Sequence, residues 1–415
     1  MKNMHKPSMN HLLKYLLSRA MLLSLVCAFW AESGALAASV TDFGAIGDGK
    51  TLNTKSIQSA IDHCAQTGGG TLVIPKGEFL SGALFLKPGV NIQLTEGAVL
   101  RASTDIADFP TQPKVRFEGH FQEHATSLLN VDHCDHFRLT GPGMLDGQGA
   151  AYWNSNLPKG RPRLSEICNS KDVIINGVRY TNSPSWNLHL YNCQDSVVEN
   201  CRFEISSNGK GPSTDGTDID SSQNITVKNC FYSVNDDCVC LKGNRYDGLD
   251  QTPRSLPVEN IRISNCTFIR GMGALTLGTE ATVIRNVEFE NSTVEGNIPM
   301  LRIKLRPDTA GQDYSDVRVH DIKLNGRGRI LSLESTHGTK VAPDKISKAK
   351  ISNITVENIT GNFGSFGRFS GGISDVHDIT LRNIDVKISG DANLDTNGVV
   401  NLRMENVNVT SAAAR

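Results

Sequence analysis

Apolar and polar positions alternate along this chain in short bursts, not in long helical runs. One pattern recurs: Asn or Asp, apolar, any, apolar, any, then Asn, Asp or Gly, then Cys or an aliphatic residue. Asn224-Ile225-Thr226-Val227-Lys228-Asn229-Cys230 and Asn260-Ile261-Arg262-Ile263-Ser264-Asn265-Cys266 show it in full. It returns with minor slips from Asp172, Asp195, Asn286, Asp316, Asn353, Asp378 and Asn401, so that successive starts lie 23, 29, 36, 26, 30, 37, 25 and 23 residues apart. The period of two inside each unit predicts a strand. Repeats of this length predict stacked supersecondary units in place of separate globular domains. The expected fold class is therefore all-β: a coil whose short strands stack into parallel sheets, with the repeated Asn and Cys in ladders at the bends, inside the coil. Uneven spacing predicts long loops over residues 244–257 and 338–350.

The pattern differs near the start. Ile57, Ala60, Ile61 and Cys64 stand at helical spacing and predict an amphipathic helix over 53–67, opened by Asn53 or Thr54. Gly68-Gly69-Gly70 ends it, and a strand follows over 71–74. Such a helix would cap the open end of the coil. The triple glycine lacks the following Lys-Ser/Thr of a phosphate loop. Farther upstream, Lys2, Lys6, Lys14 and Arg19 precede an apolar stretch from Ala20 to Ala31, and Ala35-Leu36-Ala37 forms a small-x-small site. That is the layout of a secretory signal peptide, too short to span a bilayer. The expected organisation is a signal peptide over 1–37 and a single β-helical domain over 38–415, with a secreted or periplasmic location and no membrane span after cleavage.

Composition narrows the functional classes. Lys+Arg total 42 against 43 Asp+Glu among 415 residues, which argues against nucleic acid as partner. Removing 1–37 takes away four basic residues and Glu32, moving the net charge from −1 to −4. Apolar residues at 39% exclude a disordered chain. Nine of the ten cysteines follow the leader. Their odd number and repeated positions argue for small buried residues, not a disulfide framework or a zinc site. Several Asn-x-Thr acceptor motifs fall on the repeat itself and are read as bend residues.

The densest polar cluster is Ser213-Thr214-Asp215-Gly216-Thr217-Asp218-Ile219-Asp220, followed by Asn235-Asp236-Asp237. Asp215 and Asp236 are 21 residues apart, close to one turn of the coil, and would sit on adjacent strands about 5 Å apart. Neighbouring carboxylates raise one another's pKa, so one stays protonated while another ionises. Breaking a glycosidic bond requires such an acid and base. Asp236 and Asp237 would face opposite ways on a regular strand, so a bend must turn both outward if both act. Arg302 and Lys304 share a strand face while Ile303 enters the core. These cations either neutralise the carboxylates or bind an acidic sugar. A solvated salt-bridge face is the competing reading. The aspartate spacing does not match a calcium loop.

In register along the chain lie Val40-Thr-Asp-Phe-Gly-Ala-Ile-Gly-Asp-Gly49, Gly143-Met-Leu-Asp-Gly-Gln-Gly149, Asn182-Ser-Pro-Ser-Trp186, Ser213-Thr-Asp-Gly216, Asp236-Asp-Cys-Val239 and Arg302-Ile-Lys304. Together they resemble the polygalacturonase family (glycoside hydrolase family 28). The resemblance implies a right-handed parallel β-helix that hydrolyses galacturonide-type linkages of pectin with inversion, as a monomer, without metal or cofactor. It makes Asp236 the general acid and gives Asp215 and Asp237 the attacking water. The carboxyl separation would be about 6.5–9.5 Å. Arg302 and Lys304 would bind the substrate carboxylate. The family usually has Gly-His-Gly where this chain has Gly271-Met272-Gly273; His189 or His337 are the histidines considered as substitutes. That departure keeps a non-catalytic pectin-binding β-helix as the alternative, with a pectate lyase on the same scaffold as a third reading.

Overall fold

Nine residues that open the repeat turn the chain. In the computed structural model, which describes residues 38–206, 210–244, 256–335, 348–369 and 374–411, the starts from Asp172 to Asn401 all have φ between 51° and 58°. Asn and Asp tolerate this left-handed region because their short polar side chains bond locally. Each start is thus a corner of one coil in a parallel β-helix. The Asn-x-Thr residues Asn224, Asn265, Asn291, Asn353 and Asn358 stand at such corners.

Corner side chains hydrogen-bond from rung to rung: Asn224 Nδ2 donates to Asp195 Oδ1 at 2.7 Å, and Asn260 Nδ2 to Asn224 Oδ1 at 2.7 Å. This ladder is exposed, which corrects the expectation that it lies inside the coil. A left-handed corner swings the side chain away from the interior, where water and the next amide satisfy it. The cysteines do turn inward: Cys193, Cys201, Cys230 and Cys266 are buried, and none of the nine described cysteines is in a disulfide.

Each coil adds one short strand to an 11-stranded sheet, and most add two to a 22-stranded sheet that folds around the rest of the body. Inside, Tyr180, Phe203, Tyr232 and Phe268 stack with centroids 4.9, 4.9 and 5.1 Å apart, close to the spacing of neighbouring strands. The helix spans Thr54–Gln66 and buries Ile57, Ala60, Ile61 and Cys64 against the first coils. Asn53 does not cap it through its side chain; that amide instead ties down the main chain of Ile46 and Thr51. The following strand is Gly70–Ile74. Among the described residues no helix is long and apolar enough to cross a membrane. The expected leader over 1–37 and most of the two expected long loops lie outside the described residues.

Candidate functional site

Strand parity builds the groove. On the 11-stranded sheet the apolar member of each pair points inward and the polar member outward. The register lines up Glu166, His189, Asp218, Cys240, Thr276 and Arg302 in one outward row. Cys168, Tyr191, Asp220 and Lys242 form the next row, and Lys304 and Glu334 pair farther along. Between Lys242 and Lys304 the strand gives way to Gly278, whose φ is 93° and where a Cβ would lie 2.1 Å from the Lys304 carbonyl oxygen.

The three aspartates stand where these strands begin. Gly216 N–H donates to the Asp237 carbonyl at 2.9 Å, and Thr217 pairs with Val239, so Asp215 and the Asp236–Asp237 pair occupy adjacent rungs. Residues 235–237 form a turn ahead of strand Val239–Lys242, which frees both carboxylates from strand alternation. Asp237 N–H donates to Asp236 Oδ1 at 2.9 Å.

Their electrostatics diverge. Asp237 is fully buried; its Oδ2 accepts from Lys304 Nζ at 2.7 Å, and its Oδ1 accepts from Thr276 Oγ1 at 2.8 Å and Arg302 Nη1 at 3.3 Å. Burial pushes its pKa up, but Lys304 and Arg302 overcome that and hold the carboxyl below its ordinary value. Burial raises Asp236, and the Asp237 charge adds to it. Asp215 is raised well above the ordinary range by burial and then by Asp218 and Asp236, with Lys242 offsetting only part. Lys242 Nζ lies 3.5 Å from both Asp215 and Asp218, and 4.7 Å over the Trp186 ring. Asp215, Asp237 and Cys240 bring three ligand-type atoms within 4.8 Å of one another, but the Lys242 and Lys304 ammonium groups already neutralise these carboxylates.

A cavity of about 230 Å³ is lined by Asp215, Asp236, Lys242, Lys304, Arg306 and Trp186, together with Glu118 and Glu280. Of the five residues singled out in the sequence, Asp215, Asp236 and Lys304 line it. Asp237 and Arg302 lie behind and reach it through their partners. Sequence reasoning missed Lys242 and Arg306, although each follows an outward-facing residue by two positions. Met272 lies beside the pair: its N–H donates to the Asp236 carbonyl at 2.9 Å and its carbonyl accepts from Arg302 Nη1 at 3.2 Å, while the residue is 46% exposed. His189 takes another place, fully buried between Arg163 at 3.0 Å and Asp220 at 3.5 Å. His337 lies outside the described residues.

Glu118 reaches the cavity from a hairpin that no sequence signal announced. Strands Thr111–Phe117 and His120–Ala125 pair antiparallel through a two-residue turn, with φ 45° at Glu118 and 82° at Gly119, the left-handed pair that tight hairpins need.

The model of glycosyl hydrolases family 28 matches residues 64–413. A Vitis vinifera protein named as a probable polygalacturonase is 32% identical over 283 residues, 64% of this chain and 56% of that relative; the chain thus spans little more than half of its length. A Zea mays exopolygalacturonase is 27% identical over 78% of this chain and 76% of its own. Among solved structures, an exopolygalacturonase from Thermotoga maritima superposes with a TM-score of 0.75 at 22% identity, covering 90% of this chain and 91% of that one. With the repeat, the β-helix and the aspartate pair on adjacent rungs, the match places the chain: it belongs to glycosyl hydrolases family 28.

Proposed function

We propose that this protein is an exported hydrolase of galacturonide linkages in pectin and works by inversion. One observation carries the reading: Asp215 and Asp236, both with raised pKa, open into a cavity that also holds Lys242, Lys304 and Arg306, and the anionic Asp237 lies directly behind them. An acidic sugar supplies the negative charge those cations bind. Asp236, whose proton is retained by burial and by the Asp237 anion, protonates the glycosidic oxygen as the bond to the anomeric carbon breaks. A water held by Asp215 attacks that carbon from the opposite face, and its proton passes to the Asp215–Asp237 pair, in which Lys304 and Arg302 keep Asp237 ionised. Asp237, tied to Lys304, Arg302 and Thr276, shares in orienting the water and supplies the charge that holds the proton on Asp236. Because no carboxylate bonds to the sugar, the anomeric configuration inverts.

Digestion of polygalacturonate and rhamnogalacturonan fragments tests this, with reducing ends counted and the first anomer identified by NMR. Hydrolysis with inverted product is expected; an unsaturated product abolished by a chelator would point to a lyase instead. Met272 favours a second reading, a pectin-binding β-helix without turnover. Oligogalacturonide binding by calorimetry with no release of reducing ends would select it.

A further inference from the structure

We propose that the hairpin closes one end of the groove, so that the enzyme works from a chain end and Glu118 holds the terminal sugar; this rests on the hydrolase reading above. The hairpin lies on the coil that carries His189 and Tyr191, on the N-terminal side of the aspartates. Arg116 pairs with both oxygens of Asp220 at 2.9 and 3.1 Å, and both residues are about 1% exposed. Phe117 stacks on Trp186 at 4.9 Å, Arg163 lies over both rings at 5.3 and 4.5 Å, and Phe121 meets the Tyr191 ring edge-on at 5.6 Å. Arg163 Nη2 also donates to the Arg116 carbonyl at 2.6 Å.

These contacts occupy the outward rows where a polymer would have to continue past Asp215. A buried ion pair is no flap for a sugar chain to lift, since parting it takes from each buried charge its closest opposite charge. The groove face does hold a second cavity, of about 310 Å³, lined by Arg116, Phe121 and Tyr191. It shares no lining residue with the cavity of the aspartates. The hairpin stands between two compartments, not beside one continuous cleft. On the catalytic side, Glu118 shares a cavity of about 230 Å³ with Asp215 and Asp236, which leaves little length between wall and reacting bond. The Glu118 carboxylate accepts hydrogen bonds from the hydroxyls of a terminal sugar. Its charge also repels the carboxylate of any further uronate, which disfavours internal binding.

The test is time-resolved sizing of products from polygalacturonate and defined oligogalacturonides, with solution viscosity followed in parallel. One short product of fixed length from the first turnovers, with viscosity falling slowly, is expected. A ladder of intermediate oligomers with early loss of viscosity would overturn chain-end action while leaving hydrolysis intact. No hydrolysis of any pectic substrate would remove the hydrolase reading and this inference with it. Because Glu118 is exposed at a turn, Glu118→Ala should fold with an unchanged thermal midpoint. Its kcat/KM on a trigalacturonide should fall by about tenfold or more, with partial recovery in Glu118→Gln. An unchanged kcat/KM would overturn the role given to Glu118.

Discussion

Replacing Asp236 by Asn removes the proton donor while keeping the shape of the turn, so kcat should fall by about 10²–10⁴ with the fold intact. Wild-type-like turnover on every pectic substrate would show that the acid lies elsewhere. Asp237→Asn makes a subtler case. The Asp237 anion raises the pKa of Asp236, and without it Lys304 and Arg302 act unopposed on that carboxyl. Asp236 should then lose its proton at lower pH, moving the alkaline limb of the residual kcat/KM profile downward. Asp218 has a different consequence. Neither of its carboxyl oxygens has a hydrogen-bond partner among the described residues, and burial raises its pKa from 3.8 to about 6, with Lys242 offsetting part. A raised native pKa gives stability that is present below the unfolded value and lost as pH rises through the native one. Asp218→Asn escapes that loss. Its thermal midpoint relative to wild type should therefore climb between pH 3.8 and about 6; a difference independent of pH would contradict the assignment.

At the scale of elements, the corners were the most legible part of the sequence, because few side chains tolerate a left-handed backbone and Asn and Asp lead among them. At Asn260, φ is 58° and the amide joins a rung-to-rung ladder. Asn260→Ala should therefore destabilise by about 1–2 kcal/mol, with Asn260→Gly recovering the backbone part, as denaturant melts would show. The aromatic ladder is less forgiving. Phe268 is fully buried at its end, and Phe268→Ala should cost about 3–5 kcal/mol. The helix was readable from its spacing, and the aspartate cluster from its one-turn separation. The hairpin was not, since Arg116 finds Asp220 across 104 residues and no local pattern encodes that meeting. Lys242 was overlooked for a related reason: its importance comes from neighbours on other coils, which strand parity alone does not name.

At the scale of the molecule, each coil touches mainly the next, and stability is close to a sum of rung and neighbour terms. The near-neutral net charge of −1 averages away a groove in which opposite charges are sorted by position. Unfolding should then depart from a two-state transition, with circular dichroism and intrinsic fluorescence giving different midpoints; coincident midpoints would argue for one cooperative block. The unpaired cysteines carry a further implication. Among the described residues no covalent crosslink holds these coils together, so dithiothreitol should leave the melting temperature unchanged. While the chain is still open, the same nine sulfurs are free nucleophiles, and an oxidising environment would let them join wrongly before the coils close. Refolding yield should thus be higher under reducing than under oxidising buffer, and the protein's tolerance of air is something it acquires only by folding first.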